Sequence, residues 1–372
     1  MGLDLMSNTT DFDSLKDKYE NFIKPVVNLS VLSKQNRDKF VITGLNIELS
    51  SGFGSNIATV NIYKVFDDKT KKFKDSEFDK VFQIGKQINI EIGYSRTTEC
   101  VFSGYISGIT YSFSERDIPC LILECLDVRA AMMANNNNAQ VLQDNYSDCI
   151  SDIVGKSQYK NFYKEAQIDK NIKSPQGEDK LLIEMADESD YEFLVRLAKK
   201  LGYEFFVSQE TIYFRKKRIK KEPIMTISHK DIIKSLEANL NIAGMVSAVE
   251  VRSLDNRTGN IIKATSKSDA IYSNSSSASK IIRNSVKVIL DPTIMSDSEA
   301  KERADAELDE LSWKFGSFLI KTIGLPEIIP GRFIKIKDMS ENINKKIYIT
   351  KVIHDINSQG FKTSFEARLD SL

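Results

Sequence analysis

Residues that could do covalent chemistry are scarce in this sequence, which has four cysteines and two histidines among 372 residues. Cys149 has the most reactive setting, because Asp148-Cys149 comes at the start of a short helix predicted over Ser147 to Val154. A helix N-terminus lowers the pKa of a thiol and favours a thiolate nucleophile. A cysteine nucleophile also needs a base beside it, and the possible bases are His229 and His354.

The sequence around Cys149 agrees only in part with a cysteine peptidase. Asp148-Cys149 resembles the start of the D-C-S-G motif of cell-wall peptidases, but Ile150-Ser151 stands in place of Ser-Gly. Neither histidine lies in a context that resembles those enzymes. We therefore predict a buried structural thiol, no catalytic residue and no enzyme activity, with a peptidoglycan hydrolase as the alternative.

The other three cysteines show no pattern of a metal or disulfide site. Cys100, Cys120 and Cys125 form no CxxC pair. Cys120 and Cys125 lie an odd number of positions apart in a predicted strand, so they face opposite sides of it. We predict small core residues at these positions, with no metal site and no cofactor.

Two charged clusters are candidates for binding an ion or a partner. Asp187, Glu188 and Asp190 lack EF-hand spacing, so we predict that they cap a helix and face solvent. The basic run 215–221 follows a predicted strand. It fits a solvated hairpin end, or contact with an acidic partner.

Composition excludes several classes of partner. Lys+Arg and Asp+Glu both count 52, so bulk charge would recruit neither nucleic acid nor an anionic membrane. The sequence has no stretch of about 18 or more apolar residues, so it predicts no membrane anchor. The polar, acidic segment Met1 to Ser14 lacks the pattern of a signal peptide. We expect synthesis in the cytoplasm and exit by a route other than a signal peptide, such as cell lysis.

Alternating apolar residues predict a first β-barrel-like domain over 26–130, after an N-terminal arm, 1–25, with helical spacing. Its predicted strands are Val26 to Leu32, Phe40 to Leu49, Ile57 to Val65, Ile88 to Tyr94, Cys100 to Thr110 and Cys120 to Cys125. The charged stretch Asp67 to Lys80 predicts an exposed loop.

The middle of the chain, 131–215, has the pattern of an α+β insertion. Ser189 and Glu192 form a capping box before an apolar helical stripe, and Gly202 ends the helix. Two strands, Tyr203 to Val207 and Thr211 to Arg215, are predicted after it.

A second β-barrel-like domain is predicted over 216–372. It includes a Ser- and Asn-rich surface loop, 255–285, and a helix over 296–312 whose capping box is Ser296 and Glu299. Strands resume from Phe318. The predicted fold is mainly β, with two similar barrel-like domains and a helix-containing middle segment.

Three short segments of the first predicted domain are echoed in the second, in the same order and at nearly constant separation. The pairs are Gly85 to Ile90 with Gly331 to Ile336, Tyr105 to Ile109 with Tyr348 to Val352, and Leu123 to Cys125 with Phe365 to Ala367. The echo fits two copies of one domain, and also two unrelated meanders with ordinary turns. With two copies in each chain, a trimer would present six like domains around a ring.

Three motifs resemble the baseplate-hub family, which includes the late control protein D of contractile phages and the hub portion of type VI secretion VgrG proteins. Residues 186–207 resemble its E-S-D-x-x-F-L-x-R-L-A…G-Y-x-F signature. Residues 324–332 resemble its G-x-P-x-x-x-P-G turn, and 361–366 resemble its closing F-x-T-x-F-E strand.

The resemblance implies a homotrimeric structural adaptor that joins a sixfold tail tube, or a tube-initiator protein, to a central spike. Other baseplate (wedge) proteins would surround it. Because the sequence stops at Leu372, just after the closing strand, we expect the spike to be a separate chain. Whether the particle is a phage, a bacteriocin of the tailocin type or a secretion-like injector stays open.

A host-surface-binding module is the remaining alternative. Such a module would offer an aromatic-lined groove for a glycan. Trp313, in an expected core run from Leu311 to Phe315, is the one tryptophan in the sequence.

Overall fold

A computed structural model of the chain describes residues 4–32, 39–135, 140–141, 145–170, 172, 183–219, 221–255, 258–268 and 276–370. Most of the regular structure in these ranges is β, in several sheets with few helices, which confirms the predicted mainly-β class. None of the described helices combines the length and the apolar composition needed to cross a membrane.

The strands are numbered in chain order. They are β1 (Pro25–Leu29), β2 (Val41–Ser50), β3 (Ile57–Tyr63), β4 (Phe66–Asp67), β5 (Lys72–Phe73), β6 (Gln87–Tyr94), β7 (Thr97–Ser112), β8 (Cys120–Leu126), β9 (Gln140–Val141), β10 (Glu165–Ile168), β11 (Glu184–Met185), β12 (Tyr203–Ser208), β13 (Thr211–Lys216), β14 (Pro223–Ile227), β15 (Ile233–Leu240), β16 (Ala248–Leu254), β17 (Ile261–Lys267), β18 (Val286–Leu290), β19 (Gly316–Ile323), β20 (Phe333–Ile336), β21 (Lys346–Asn357) and β22 (Gly360–Leu369).

The described helices are fewer than the strands. They are α1 (Phe12–Lys18), α2 (Asp75–Phe78), α3 (Val128–Met132), α4 (Tyr146–Val154), α5 (Asp190–Leu201), α6 (Ser276–Ile282) and α7 (Asp297–Ser312).

One large sheet runs through both halves of the chain, in the order β1-β6-β7-β8-β3-β2-β21-β22-β19-β15, with β20 beside β21 and β14 beside β20. The halves meet where β2 pairs with β21, antiparallel, from Leu45 opposite Ile356 to Ser50 opposite Lys351. Apolar side chains from both halves enter a single main core.

The large sheet contains the same five-strand arrangement twice. In the first repeat the order is β6-β7-β8-β3-β2, and in the second it is β20-β21-β22-β19-β15. Neighbouring strands inside each repeat are antiparallel. The three sequence echoes lie on β6 to β8 and on β20 to β22, which occupy equivalent places.

The two repeats share a β-bulge at equivalent positions. The register shifts at Ser107 between β7 and β8, and at Thr350 between β21 and β22. The Ser107 hydroxyl donates to the Glu124 carbonyl at 3.0 Å, and the Thr350 hydroxyl donates to the Glu366 carbonyl at 3.3 Å. Bulges interrupt a ladder at specific places, so a shared bulge is strong evidence of a repeated unit.

A second shared bulge lies in the outer strands. The register of β2 against β3 shifts at Thr43, and the register of β15 against β19 shifts at Lys234. This match places β15 in the second repeat where β2 lies in the first.

Equivalent glycines turn the chain into β6 and β20. Gly85 has φ of 85° and Gly331 has φ of 83°, a region that favours glycine. The Gly85 amide donates to the Ile106 carbonyl at 2.8 Å, and the Gly331 amide donates to the Ile349 carbonyl at 2.9 Å. Ile106 and Ile349 are themselves equivalent in the sequence echo.

The segment predicted as an arm, 1–25, packs on the main core over its described residues, 4–25. Leu5, Leu15 and Tyr19 are buried there, and α1 begins at an Asp11 cap. The amphipathic pattern of this segment therefore serves packing against the large sheet.

The predicted exposed loop Asp67 to Lys80 is wrong in part. It contains β5 and α2, and the Phe73 and Phe78 rings pack against Tyr111, with centroids 5.2 and 5.8 Å away. Spaced aromatic residues fold this charged segment onto β7.

The predicted surface loop 255–285 is also wrong in part. Its described residues include β17, which pairs with β16, and α6; residues 256–257 and 269–275 lie outside the described residues. One face of the β17-β16-β18 sheet packs on α7 through Val249, Val251 and Ala304. Small residues suffice for that contact, which is why the apolar signal in the sequence is weak.

The middle segment has a core of its own, built from α3, α4, α5, β12 and β13. The capping box at Ser189 and Glu192 is confirmed, with both reciprocal bonds present, and Gly202 ends α5 at φ of 70°. The box predicted at Ser296 is half right. Ser296 accepts from the Glu299 amide, but the Glu299 carboxylate accepts from the Met295 amide.

Candidate functional site

The residues that sequence reasoning selected for covalent chemistry lie apart. Cys149 is fully buried in the core of the middle segment. His354 is fully buried on β21, where its Nδ1 lies 3.0 Å from the Thr363 hydroxyl, and burial lowers its pKa to about 3. His229 lies exposed in the turn after β14. The structure does not bring the thiol and either imidazole together.

The acidic cluster differs from its prediction. Asp190 is fully buried, and its carboxylate accepts bonds from Lys156 Nζ at 2.7 Å and from the Tyr159 hydroxyl at 2.6 Å. Burial and this bond raise the pKa of Tyr159. Glu188 pairs instead with Arg196, near the surface. The Asp190 carboxylate at the start of α5 therefore anchors the turn that follows α4 rather than meeting solvent.

The basic run is not a solvated hairpin end over most of its length. Arg215 Nε donates to Glu204 at 2.7 Å, and Lys217 Nζ donates to Glu310 on α7 at 2.6 Å. Arg218 pairs with Asp309 and Glu310. The acidic partner of this run is thus α7 of the same chain, while Lys220 lies outside the described residues.

A cleft of about 370 Å³ lies where the middle segment meets the second repeat and α7. Trp313 is half-buried in it and not part of the core run that the sequence predicted. Its ring meets the Phe333 and Tyr348 rings edge-on, and the Arg218 guanidinium lies 4.5 Å above it. The guanidinium occupies a ring face that a sugar would need for stacking.

Glu204 lies fully buried in this cleft wall and links β12 to the second repeat. Its carboxylate accepts from Arg215 and from the Tyr348 hydroxyl. Burial raises its pKa, and the Arg215 charge opposes that shift. Glu204 and Glu310 both have basic partners within hydrogen-bond distance, so the cleft is suited to fixing two parts of the chain together.

Sequence reasoning missed the buried contacts of the N-terminal segment. Arg332 donates to the Leu5 carbonyl at 2.7 Å and to the Asn8 carbonyl at 3.1 Å. Glu327 accepts from the Tyr19 hydroxyl at 2.7 Å. The partners lie more than 300 residues apart, so no local pattern indicates them.

The edges of the large sheet are the surface most suited to assembly. Beyond Tyr105, β7 pairs only with β8 among the described strands, and β15 pairs only with β19. Tyr111 is 50% exposed and Phe113 is 60% exposed at the first of these edges. Apolar side chains beside unpaired backbone favour the addition of a strand.

The sequence matches one protein family over most of its length. The family described as the Alg8 N-terminal domain matches residues 31–358, which cover most of both repeats and the middle segment between them. The chain belongs to this family. No curated protein matches the sequence of this Alg8 N-terminal domain.

Solved structures share the fold at low sequence identity. A tail protein from Neisseria meningitidis MC58 matches with a TM-score of 0.66 and 12% identity, over 94% of this chain and 97% of that one. The 43 kDa tail protein of prophage MuSo2 from Shewanella oneidensis matches with a TM-score of 0.62 and 16% identity, over 92% and 97%.

A type VI secretion component is similar as well. The E. coli protein, described as structurally similar to the T4 bacteriophage tail proteins gp27 and gp5, matches with a TM-score of 0.53 and 11% identity, over 92% of this chain and 76% of that one. The chain therefore has a fold shared with tail proteins and with a type VI secretion component.

Proposed function

We propose that this chain is the structural baseplate hub of a contractile tail-like particle. The observation that carries the proposal is the five-strand unit present twice in one sheet, with both bulges at equivalent positions. The shared fold with tail proteins and a type VI secretion component supports it. A passive adaptor needs surfaces rather than a reacting group, and no catalytic role is assigned to any residue.

The repeat would let a threefold assembly match a sixfold partner. A homotrimer of a chain with two like units has six like units around a ring, with true threefold and approximate sixfold symmetry. One face then fits a sixfold tail tube or tube-initiator protein, and the other fits a threefold spike. We propose contacts with other baseplate (wedge) proteins at the outside of the ring and with a tape-measure chain near its centre.

The place of action follows from this role. We propose that the hub is assembled in the bacterial cytoplasm and becomes part of a virion or an extracellular phage-tail-like particle on lysis. The specific resemblance to the late control protein D and to VgrG hubs stays a prediction. The spike as a separate chain is likewise a prediction.

Imaging of particles from the producing cell tests the role. Cryo-electron microscopy of particles carrying a small tag on a surface turn of this chain, such as the one around His229, should show the tag in threefold positions at the spike end of the tube. Cells lacking the chain should yield no complete particles, and a plasmid copy should restore them. Complete, functional particles without this protein would contradict the proposal.

A further inference from the structure

Among the strands of the two repeats, two edges lack a strand partner in the described residues; β1 and β14, which flank the repeats, also have one strand partner each. One is the second half of β7, from Gly108 onward, and the other is the outer side of β15. Unpaired amides and carbonyls along an edge are a template for another strand. The question is which strand fits each edge.

The joint inside the chain shows what such edges pair with. β21 is the counterpart of β7, and its second half, Lys351 to Ile356, pairs with β2. β2 is the counterpart of β15, since their bulges at Thr43 and Lys234 match. The joint therefore unites the outer strand of one repeat with the β7-type strand of the other.

We infer that β15 of one copy pairs antiparallel with the second half of β7 in the next copy, in the register that β2 and β21 use inside the chain. The inference rests on the proposed trimeric hub, and its partner is a second copy of this chain. Transfer of the register places Leu236 opposite Phe113, Ala238 opposite Tyr111 and Leu240 opposite Ile109.

Burial differs between the repeats as this pairing requires. On β2, Leu45, Ile47 and Leu49 are at most 3% exposed, whereas their counterparts on β15 are half-buried. His354 on β21 is fully buried, whereas Tyr111 at the equivalent position of β7 is 50% exposed. In the proposed pair, each strand would bury the exposed apolar side chains of the other.

The other face of the proposed pair is compatible in charge. Glu237 would lie opposite Ser112, and Asn239 opposite Thr110, so no like charges meet. Slipping the register by one residue would instead turn the apolar residues of one strand toward the polar face of the other.

The proposed contact is head to tail, because it joins two different edges of neighbouring copies. Whether repeated contacts of this kind close into a ring depends on the rotation between copies. The step from the first to the second repeat inside a chain and the step to the next chain then use the same strand contact. Equal steps that close make a ring in which covalent and non-covalent joints alternate. The β7 and β15 edges are thereby both used, and neither is left open to uncontrolled pairing.

Cysteine pairs test the register directly. The double variant Ala238→Cys with Tyr111→Cys places two thiols opposite each other across the proposed joint, within the reach of a disulfide. Mild oxidation should give covalent dimers and trimers on a non-reducing gel. Leu240→Cys with Ile109→Cys is a second pair, in case loss of the Tyr111 contacts with Phe73 and Phe78 harms folding.

The controls separate this inference from the hub proposal. The single variants and the offset pair Ala238→Cys with Thr110→Cys should stay largely uncrosslinked, because adjacent residues face opposite sides of a strand. A trimeric mass in which only offset pairs crosslink, or no pair does, overturns the strand pairing but leaves the hub. A folded protein that is monomeric by mass at every concentration overturns both.

Discussion

At the scale of single residues, the buried polar groups of this chain hold distant segments together. Glu204 joins β12 to the second repeat through Tyr348, and Asp190 anchors the turn after α4 through Lys156 and Tyr159. Such groups are expensive to bury and are tolerated when each is matched. Their positions mark joints of the fold.

His354 predicts a pH dependence of stability. Its folded-state pKa of about 3 lies below the ordinary value of 6.5, so the unfolded chain takes up a proton first as pH falls. Its contribution is complete above about pH 6.5 and is lost toward pH 3, with a slope of up to about 1.4 kcal/mol per pH unit. Urea unfolding at pH 7.5 and 5 should show a smaller loss in His354→Gln than in the unmodified chain.

The exposed His229 is the matched control for that measurement. His229→Gln should leave the difference between the two pH values unchanged, because its side chain meets solvent. Equal pH dependence in His354→Gln and the unmodified protein would refute the assignment.

The substitution Glu204→Gln should lower the free energy of unfolding strongly, although the side chain changes little in size. Glu204→Gln keeps the shape of the side chain but leaves the largely buried Arg215 without its counter-charge. Breaking such a pair should lower the free energy of unfolding by about 3 kcal/mol. Glu48→Gln removes an ion pair with Lys351 in which both side chains are exposed, and should cost under about 1 kcal/mol. Similar losses in the two variants, measured by denaturant unfolding, would argue against a buried joint.

At the scale of elements, the sequence predicts those features, such as helix ends, that depend on residues close together in the chain. The capping box at Ser189 and Glu192 and the exit at Gly202 involve residues within one helix, and both appear as predicted. At α7 the Glu299 carboxylate bonds one residue further back, at Met295. That choice depends on the chain entering the helix, which the motif does not specify.

Pairing between distant strands lies beyond such local signals. The β2–β21 joint links residues about 300 positions apart, and its register follows from packing. A signal was present, since Ile42-x-Gly-Leu-x-Ile-x-Leu resembles Ile233-x-Ser-Leu-x-Ala-x-Leu. Its separation differs from that of the other echoes, because β16, β17, α6, β18 and α7 are inserted between β15 and β19 of the second repeat.

Equivalent glycines give a matched pair of substitutions. Alanine at Gly85 or Gly331 forces a side chain into a left-handed conformation, at a cost of roughly 1 kcal/mol. A Cβ at Gly331 would also lie 2.8 Å from the Phe206 ring, whereas open space surrounds Gly85. Gly331→Ala should therefore lower the melting temperature more than Gly85→Ala. Equal shifts would show that the second repeat relaxes freely at this contact.

At the scale of the whole molecule, the repeats make one continuous sheet, and the middle segment is fixed to the second repeat by the Glu204 and Arg218 contacts. The N-terminal segment is held by Arg332 at the same side of the fold. In the proposed hub, these contacts would hold the middle and N-terminal segments to the large sheet. Its free edges, rather than a reactive pocket, are the features left for partners to use.

The most direct test of the account is end-on cryo-electron microscopy of the purified chain, averaged without imposed symmetry. The account predicts closed rings of three chains with six similar lobes around a central opening, three of each kind in alternation. Isolated particles of one chain, or rings whose lobes do not alternate as two related kinds, would contradict it.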